Sequence, residues 1–280
     1  MINKVINIEV NYEKMGVKPS PRRTTLTTYI LDGRNIRISR RKKRPAVIVC
    51  PGGGYGGTSE REAEPIAMKY NAAGFHAFVL DYSVAPSSYP AALCELSKTV
   101  KYVRDISEKN DIDRERIFVA GFSAGGHLAA SLGVHHSRPE VLKFAEISEG
   151  ENIPAGLILC YPVITGDEAK AHMESINNFV GANEDIRPLA SLENYVTEKT
   201  PQSFIWHTFS DTYVPVANSM RFAAALEKKN VNFEMHIYPS GVHGLSLADE
   251  TVAEINEGIV PAAQNWIDMS IRWIKEFETD

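Results

Sequence analysis

Residues 117 to 122 form a short apolar, partly β-branched run that breaks at Gly121-Phe122-Ser123-Ala124-Gly125 and continues as an Ala-rich stretch. A strand that turns sharply into a helix with a serine at the tip satisfies this pattern, and few other local structures do. The flanking glycines have a steric reason: the chain reverses so tightly around Ser123 that side chains at 121 and 125 would meet neighbouring backbone. Only the serine is then left to face a pocket.

The segments around this turn extend the pattern. Strand-like stretches are expected at about 4 to 12 and 24 to 32, separated by a polar loop with Gly16, Pro19 and Pro21. From about residue 46 the chain alternates between apolar strands (46 to 50, 76 to 82, 116 to 120, 156 to 160, 203 to 209, 232 to 239) and helical segments (60 to 73, 90 to 109, 124 to 135, 215 to 229, 261 to 277). Near-continuous apolar strands alternating with helices predict an α/β fold. Its central sheet should be mostly parallel and twisted, of about eight strands with an antiparallel start, and covered by helices on both faces. The stretch at about 166 to 200 lacks a strong strand and interrupts the alternation. It is expected to be an insertion forming a lid within one domain spanning 1 to 280.

Hydrophobic residues make up 44% and charged residues 23% of the 280, the balance of a globular chain with a large core. The formal net charge of −5 gives no general attraction to nucleic acid or to an anionic membrane. The basic run Arg40-Arg41-Lys42-Lys43-Arg44 directly precedes an apolar strand and has no aromatic interleaving, so it reads as a solvated turn. The first residues alternate like a strand and carry neither the apolar core nor the cleavage site of a signal peptide. No apolar run approaches the ~20 residues that span a bilayer. A cytoplasmic location is the expectation. Cys50, Cys94 and Cys160 are an odd number set in apolar segments, which favours buried thiols over a disulfide framework.

A serine hydroxyl becomes a nucleophile only if a base takes its proton and a third group holds that base in the right tautomer. After the strand at 203 to 209 comes Ser210-Asp211-Thr212-Tyr213-Val214-Pro215, and after the strand at 232 to 239 comes Gly241-Val242-His243-Gly244. Parallel strands point their carboxyl ends at one sheet edge, which would bring Ser123, Asp211 and His243 together. The strand at 46 to 50 ends at the same edge in Pro51-Gly52-Gly53-Gly54-Tyr55. Backbone N–H groups of Gly53 and Gly54, with that of Ala124, are the expected donors to an oxyanion. The glycine run lacks the Lys and Ser/Thr of a phosphate loop. Tyr55 and Phe122 flank these donors and the serine; each is either packing or a wall of the substrate pocket.

Competing assignments are weaker. His127 and His207 sit within a helix and a strand, where packing or local hydrogen bonds explain them, and Asp185 and Asp249 could replace Asp211 but follow no core strand directly. His76, His172 and His236 have no metal-ligand spacing, and His135-His136 suits a helix C-terminus. No metal and no cofactor is implied.

The segments Pro51-Gly52-Gly53-Gly54-Tyr55, Gly121 to His127, Asp211 to Pro215 and His243-Gly244 resemble the carboxylesterases of the α/β-hydrolase superfamily. They are similar in particular to bacterial acetyl esterases and acetylxylan-esterase-like proteins related to the hormone-sensitive lipase branch. The resemblance covers roughly residues 45 to 277 and includes Val84-Ala85-Pro86 and Tyr89-Pro90-Ala91, with the chain order Ser, Asp, His of that fold. Pro51 stands where the hormone-sensitive lipase type has His before its three glycines.

What the resemblance implies is a serine esterase for short acyl groups, acetyl above all, with a small-molecule ester such as an acetylated sugar as its partner. The 166 to 200 stretch is polar rather than rich in Leu and Phe, which argues against an oil interface. An amide-cleaving relative (an arylformamidase or peptidase-like enzyme), a catalytically silent binding protein of the same fold, and a homo-oligomer remain open alternatives.

Overall fold

The computed structural model describes residues 1–32 and 43–277. The chain runs β1 (Ile2–Asn7), α1 (Tyr12–Met15), β2 (Thr25–Ile30), β3 (Arg44–Cys50), α2 (Glu64–Ala72), β4 (His76–Asp81), α3 (Ala91–Asp105) and β5 (Ile112–Phe122). It continues with α4 (Ala124–His135), α5 (Pro139–Ala145), β6 (Gly156–Cys160), α6 (Met173–Val180), β7 (Gln202–Thr208), α7 (Ala217–Lys228), β8 (Phe233–Tyr238) and α8 (Trp266–Glu276). Among the described residues the strands form one eight-stranded sheet in the order β1-β2-β4-β3-β5-β6-β7-β8. β1, β2 and β4 pair antiparallel, and every pairing from β4 through β3 to β8 is parallel. This is the expected α/β-hydrolase arrangement with its antiparallel start.

Strand parity sorts the core onto two faces, because successive side chains on a strand point to opposite sides. Ile48, Ile117, Val119, Leu157, Leu159 and Ile205 join one apolar cluster with Leu128 and Leu132 of α4 and Phe222 and Leu226 of α7. Their neighbours Val47, Val49, Phe118, Ala120, Phe122, Ile158, Phe204 and Trp206 join the other, with Ile66 and Tyr70 of α2 and Trp266, Trp273 and Ile274 of α8. In α8 the buried residues Trp266, Ile267, Ser270, Trp273 and Ile274 recur at helical spacing, so one stripe of the helix lies on the sheet. Trp206 and Trp266 stack there with centroids 5.1 Å apart. Burial of side chains of this size stabilises by ~2 to 3 kcal/mol each.

Several boundaries differ from the sequence expectation for local reasons. The strand expected over 4 to 12 ends at Asn7, and Asn11 caps α1 instead by accepting from the Lys14 N–H at 2.9 Å. The last helix begins at Trp266 rather than near 261. β5 extends back to Ile112 through exposed polar residues that periodicity alone leaves out. In the basic run, Arg40, Arg41 and Lys42 lie outside the described residues; Lys43 pairs with Glu108 at 2.8 Å and Arg44 donates to the Gly74 carbonyl oxygen at 2.9 Å. Cys50, Cys94 and Cys160 are free and buried, and burial pushes each thiol up. Among the described residues no helix is long and apolar enough to cross a membrane.

Candidate active site

β5 and α4 meet at Ser123, whose φ of 52° and ψ of −116° place a non-glycine residue in strained backbone. The turn is held from all sides: the Ser123 N–H donates to Cys160 O at 3.0 Å, and Ser123 O accepts from the N–H groups of His127 at 3.0 Å and Val163 at 3.1 Å. Glycine is required at 125 because a Cβ there would run into the carbonyl oxygens of Cys50 and Pro51. The end of β3 therefore lies directly against the first turn of α4.

Asp211 and His243 come from the loops after β7 and β8. His243 Nε2 is 2.7 Å from Ser123 Oγ, and His243 Nδ1 is 2.6 Å from Asp211 Oδ2. Asp211 Oδ1 accepts the N–H groups of Tyr213 at 3.0 Å and Val214 at 2.9 Å. Burial by itself would raise the Asp211 carboxyl. The hydrogen bonds from His207 and His243, the charge of His243 and the Val214 N–H outweigh it and hold the carboxyl well below the usual carboxylate range. The arrangement sets an acid that is ionised at neutral pH behind a partly exposed imidazole, which in turn faces a hydroxyl.

Gly52 to Tyr55 follow β3, with Gly52 directly against Ser123. Gly53, Gly54 and Tyr55 have φ of 130°, 64° and 56°, and Gly56 and Gly57 donate to Gly53 O at 2.9 and 3.0 Å. Among the described residues the N–H groups of Gly53 and Gly54 donate to no backbone acceptor. The N–H of Ala124, in the first turn of α4, has no intrahelical partner by position, and the positive end of that helix adds to the same field. Sequence-predicted donors and triad members thus share one sheet edge.

The two flanking aromatics part company. Tyr55 belongs to the α4 side, with its hydroxyl 2.9 Å from His127 Nδ1 and its ring against Phe179 at 5.9 Å. Phe122 does not line the site. Strand parity sends it to the opposite face with Phe118 and Ala120, where it is fully buried between Tyr161 at 6.0 Å and Trp266 at 5.8 Å. Its role is packing.

Residues outside the sequence assignment complete the surroundings. His207 is buried and reaches Asp211 Oδ2 at 3.2 Å, Val214 O at 2.8 Å and Ser219 Oγ at 2.7 Å, so it holds the acid and has no path to the serine. His127 spans Tyr55 and the Ala190 carbonyl oxygen at 3.1 Å, and burial lowers its imidazole to about 4. The 166 to 200 stretch adjoins the glycine loop: Asn178 Nδ2 donates to Gly54 O at 2.9 Å, while Ile176, Phe179, Ala190 and Leu192 are buried in the core. Glu62 and Tyr161 sit beneath the same loop. No local signal distinguishes Glu62 from the neighbouring Glu60 and Glu64 in sequence.

Known proteins share this frame. The chain is 38% identical over 219 residues to the endo-1,4-beta-xylanase B of Butyrivibrio fibrisolvens, covering 74% of this chain and 33% of that protein. It spans between a third and a half of the length of the curated relatives it matches first. The solved acetyl ester-xyloside bifunctional hydrolase of Caldicellulosiruptor lactoaceticus superposes with a TM-score of 0.81 at 36% identity, over 97% of this chain and 95% of that one. A solved carboxylesterase of Lactobacillus plantarum WCFS1 superposes with a TM-score of 0.84 at 28% identity over 100% of both chains. The BD-FAE family matches residues 36–226, more than half of the sequence, and the chain belongs to that family.

Proposed function

We propose that this chain is a serine carboxylesterase that removes short acyl groups, acetyl foremost, from sugars or similarly polar alcohols. The observation that carries the reading is the unbroken line from Asp211 Oδ2 through His243 to Ser123 Oγ at 2.6 and 2.7 Å. In this mechanism His243 Nε2 takes the Ser123 proton as Oγ attacks the ester carbonyl carbon. Asp211 fixes Nδ1–H and stabilises the imidazolium that forms. The tetrahedral oxyanion is held by the N–H groups of Gly53, Gly54 and Ala124, each worth about 3 kcal/mol in the transition state. His243 then returns its proton to the departing alcohol oxygen, leaving an acyl-Ser123 ester. Water, deprotonated by His243, attacks that ester, and the carboxylic acid leaves as Ser123 regains its proton.

The substrate class draws on two supports. The relatives named above include proteins described by acetyl-ester, xyloside and xylan chemistry. Tyr55 is also only 4% exposed and pinned by His127 and Phe179, so the wall beside the glycine loop is firm. A longer acyl chain that cannot be buried forfeits about 0.8 kcal/mol per methylene. The stretch at 166 to 200 acts as a lid in the sense of a packed cover over that wall.

Measuring kcat/KM on 4-nitrophenyl acetate, butyrate and octanoate, beside acetate release from acetylated xylo-oligosaccharides, tests the reading. A fall along the acyl series with acetate released from the sugar supports it. A maximum at octanoate defeats the short-acyl part, and no acetate from any acetylated sugar defeats the sugar part.

A further inference from the structure

Glu62 is 3% exposed, yet its hydrogen bonds reach none of Ser123, Asp211 or His243. Burying a carboxylate costs several kcal/mol unless its oxygens find donors. Here each oxygen has one. Oε2 accepts the Gly52 N–H at 2.8 Å, and Oε1 accepts the Tyr161 hydroxyl at 2.5 Å. The Tyr161 oxygen accepts the Ser246 N–H at 2.9 Å in turn. Burial, and then the neighbouring Glu62 carboxylate, push the Tyr161 phenol well above its ordinary value, so it stays protonated and donates to Glu62.

These bonds join three pieces of the site. Gly52 directly precedes the two oxyanion donors, and a Cβ on it would lie 3.0 Å from Ser123 Cβ and 2.7 Å from Glu62 Oε2. The peptide of Gly52 is therefore clamped between the nucleophile and the buried acid. Tyr161 follows β6, and its ring meets the His243 imidazole edge to face at 5.2 Å. Ser246 lies three residues beyond His243, and its own hydroxyl donates to Arg61 O at 2.6 Å, next to Glu62.

We propose that Glu62 and Tyr161 are positioning residues that lock the glycine loop to the loop carrying His243, so that oxyanion donors and base are both in register with Ser123 before substrate arrives. A small turn of the Gly52 peptide would swing the following N–H groups away from the oxyanion. The same displacement would leave ester binding, which depends on pocket walls, nearly unchanged. The pair thus acts on the transition state rather than on the ground state. The proposal rests on the esterase reading above.

Glu62→Gln keeps the volume of the side chain but offers one acceptor oxygen where two donors converge. Tyr161→Phe removes one hydroxyl and keeps the ring on His243. For 4-nitrophenyl acetate we expect kcat to fall on the order of 10- to 100-fold in Glu62→Gln and about tenfold in Tyr161→Phe, with KM within about twofold in both. Inhibition by a trifluoromethyl ketone, which forms a tetrahedral adduct on Ser123, should weaken in proportion to kcat/KM. If Glu62→Gln does not fold, Tyr161→Phe decides alone. A kcat within twofold of the unaltered protein, or a loss appearing only in KM, overturns the proposal. Fluorophosphonate labelling of Ser123 in the unaltered protein keeps the two ideas apart: failure to label sinks the esterase reading, whereas labelling with an unchanged kcat in the folded variants sinks this proposal alone.

Discussion

Ser123 Oγ and His243 Nε2 lie 2.7 Å apart although 120 positions of sequence separate them, one following β5 and the other following β8. The contact exists because two parallel strands end at one edge and the strained φ of Ser123 lifts its hydroxyl above that edge. In the proposed mechanism it is the link on which base catalysis depends.

Ser123→Ala and His243→Ala should each lower kcat for 4-nitrophenyl acetate by roughly 10⁴-fold or more while leaving the thermal midpoint close to that of the unaltered protein. The double variant should lose little beyond either single one, since proton transfer needs both atoms. Additive losses in the double variant, read from the same assay, would mean that the two residues serve separate steps.

Asp211→Asn should cost roughly 10⁴-fold in kcat, because the amide cannot fix the Nδ1–H tautomer. The pH dependence follows from the depressed Asp211 carboxyl. A lowered folded-state value contributes stability that is present above the ordinary Asp value near 4 and is lost as pH falls below it. Urea midpoints of the unaltered protein should therefore drop below about pH 4, and the drop should be smaller in Asp211→Asn. In the kcat/KM profile Asp211 stays ionised, so the acid limb should have unit slope; a slope of two would show a further group titrating with the base.

Tyr213 is 70% exposed, with its ring 6.4 Å from that of His243 and tilted by 30°. In the proposed mechanism His243 protonates the departing alcohol, and the exposed Tyr213 ring beside it is then a surface on which a sugar alcohol could pack. Tyr213→Ala should raise KM for acetylated xylo-oligosaccharides about fivefold, the value of one ring contact near 1 kcal/mol, and leave methyl acetate unaffected. Equal changes on both esters would show a general effect on the loop rather than a contact to the sugar.

Gly125→Ala should destabilise by at least ~1 to 3 kcal/mol, because the new methyl group meets the backbone carbonyls of Cys50 and Pro51 rather than a movable side chain. Denaturant unfolding checks this. A variant as stable as the unaltered protein would show that β3 and α4 can part without cost.

Ser123 was legible because its turn is specified by neighbours in sequence: an apolar strand, two small residues and an Ala-rich helix. Asp211 and His243 could be placed because each follows a strand whose direction the alternation fixes. Glu62 and Tyr161 were not legible, since burial of one Glu among Glu60, Glu62 and Glu64 depends on a tyrosine about 100 residues away that no local pattern announces. Phe122 shows a different limit. Adjacency to the nucleophile suggested a pocket wall, but on a strand the neighbouring position faces the opposite layer. The short helix α1 escaped detection because four residues held by an Asn11 cap show no helical period.

Mass analysis after reaction with a fluorophosphonate tests the central claim most directly. The account predicts one adduct per chain, located on the peptide containing Ser123, with its rate cut severely in His243→Ala. No adduct, or an adduct on another residue while Ser123 stays unmodified, would contradict it.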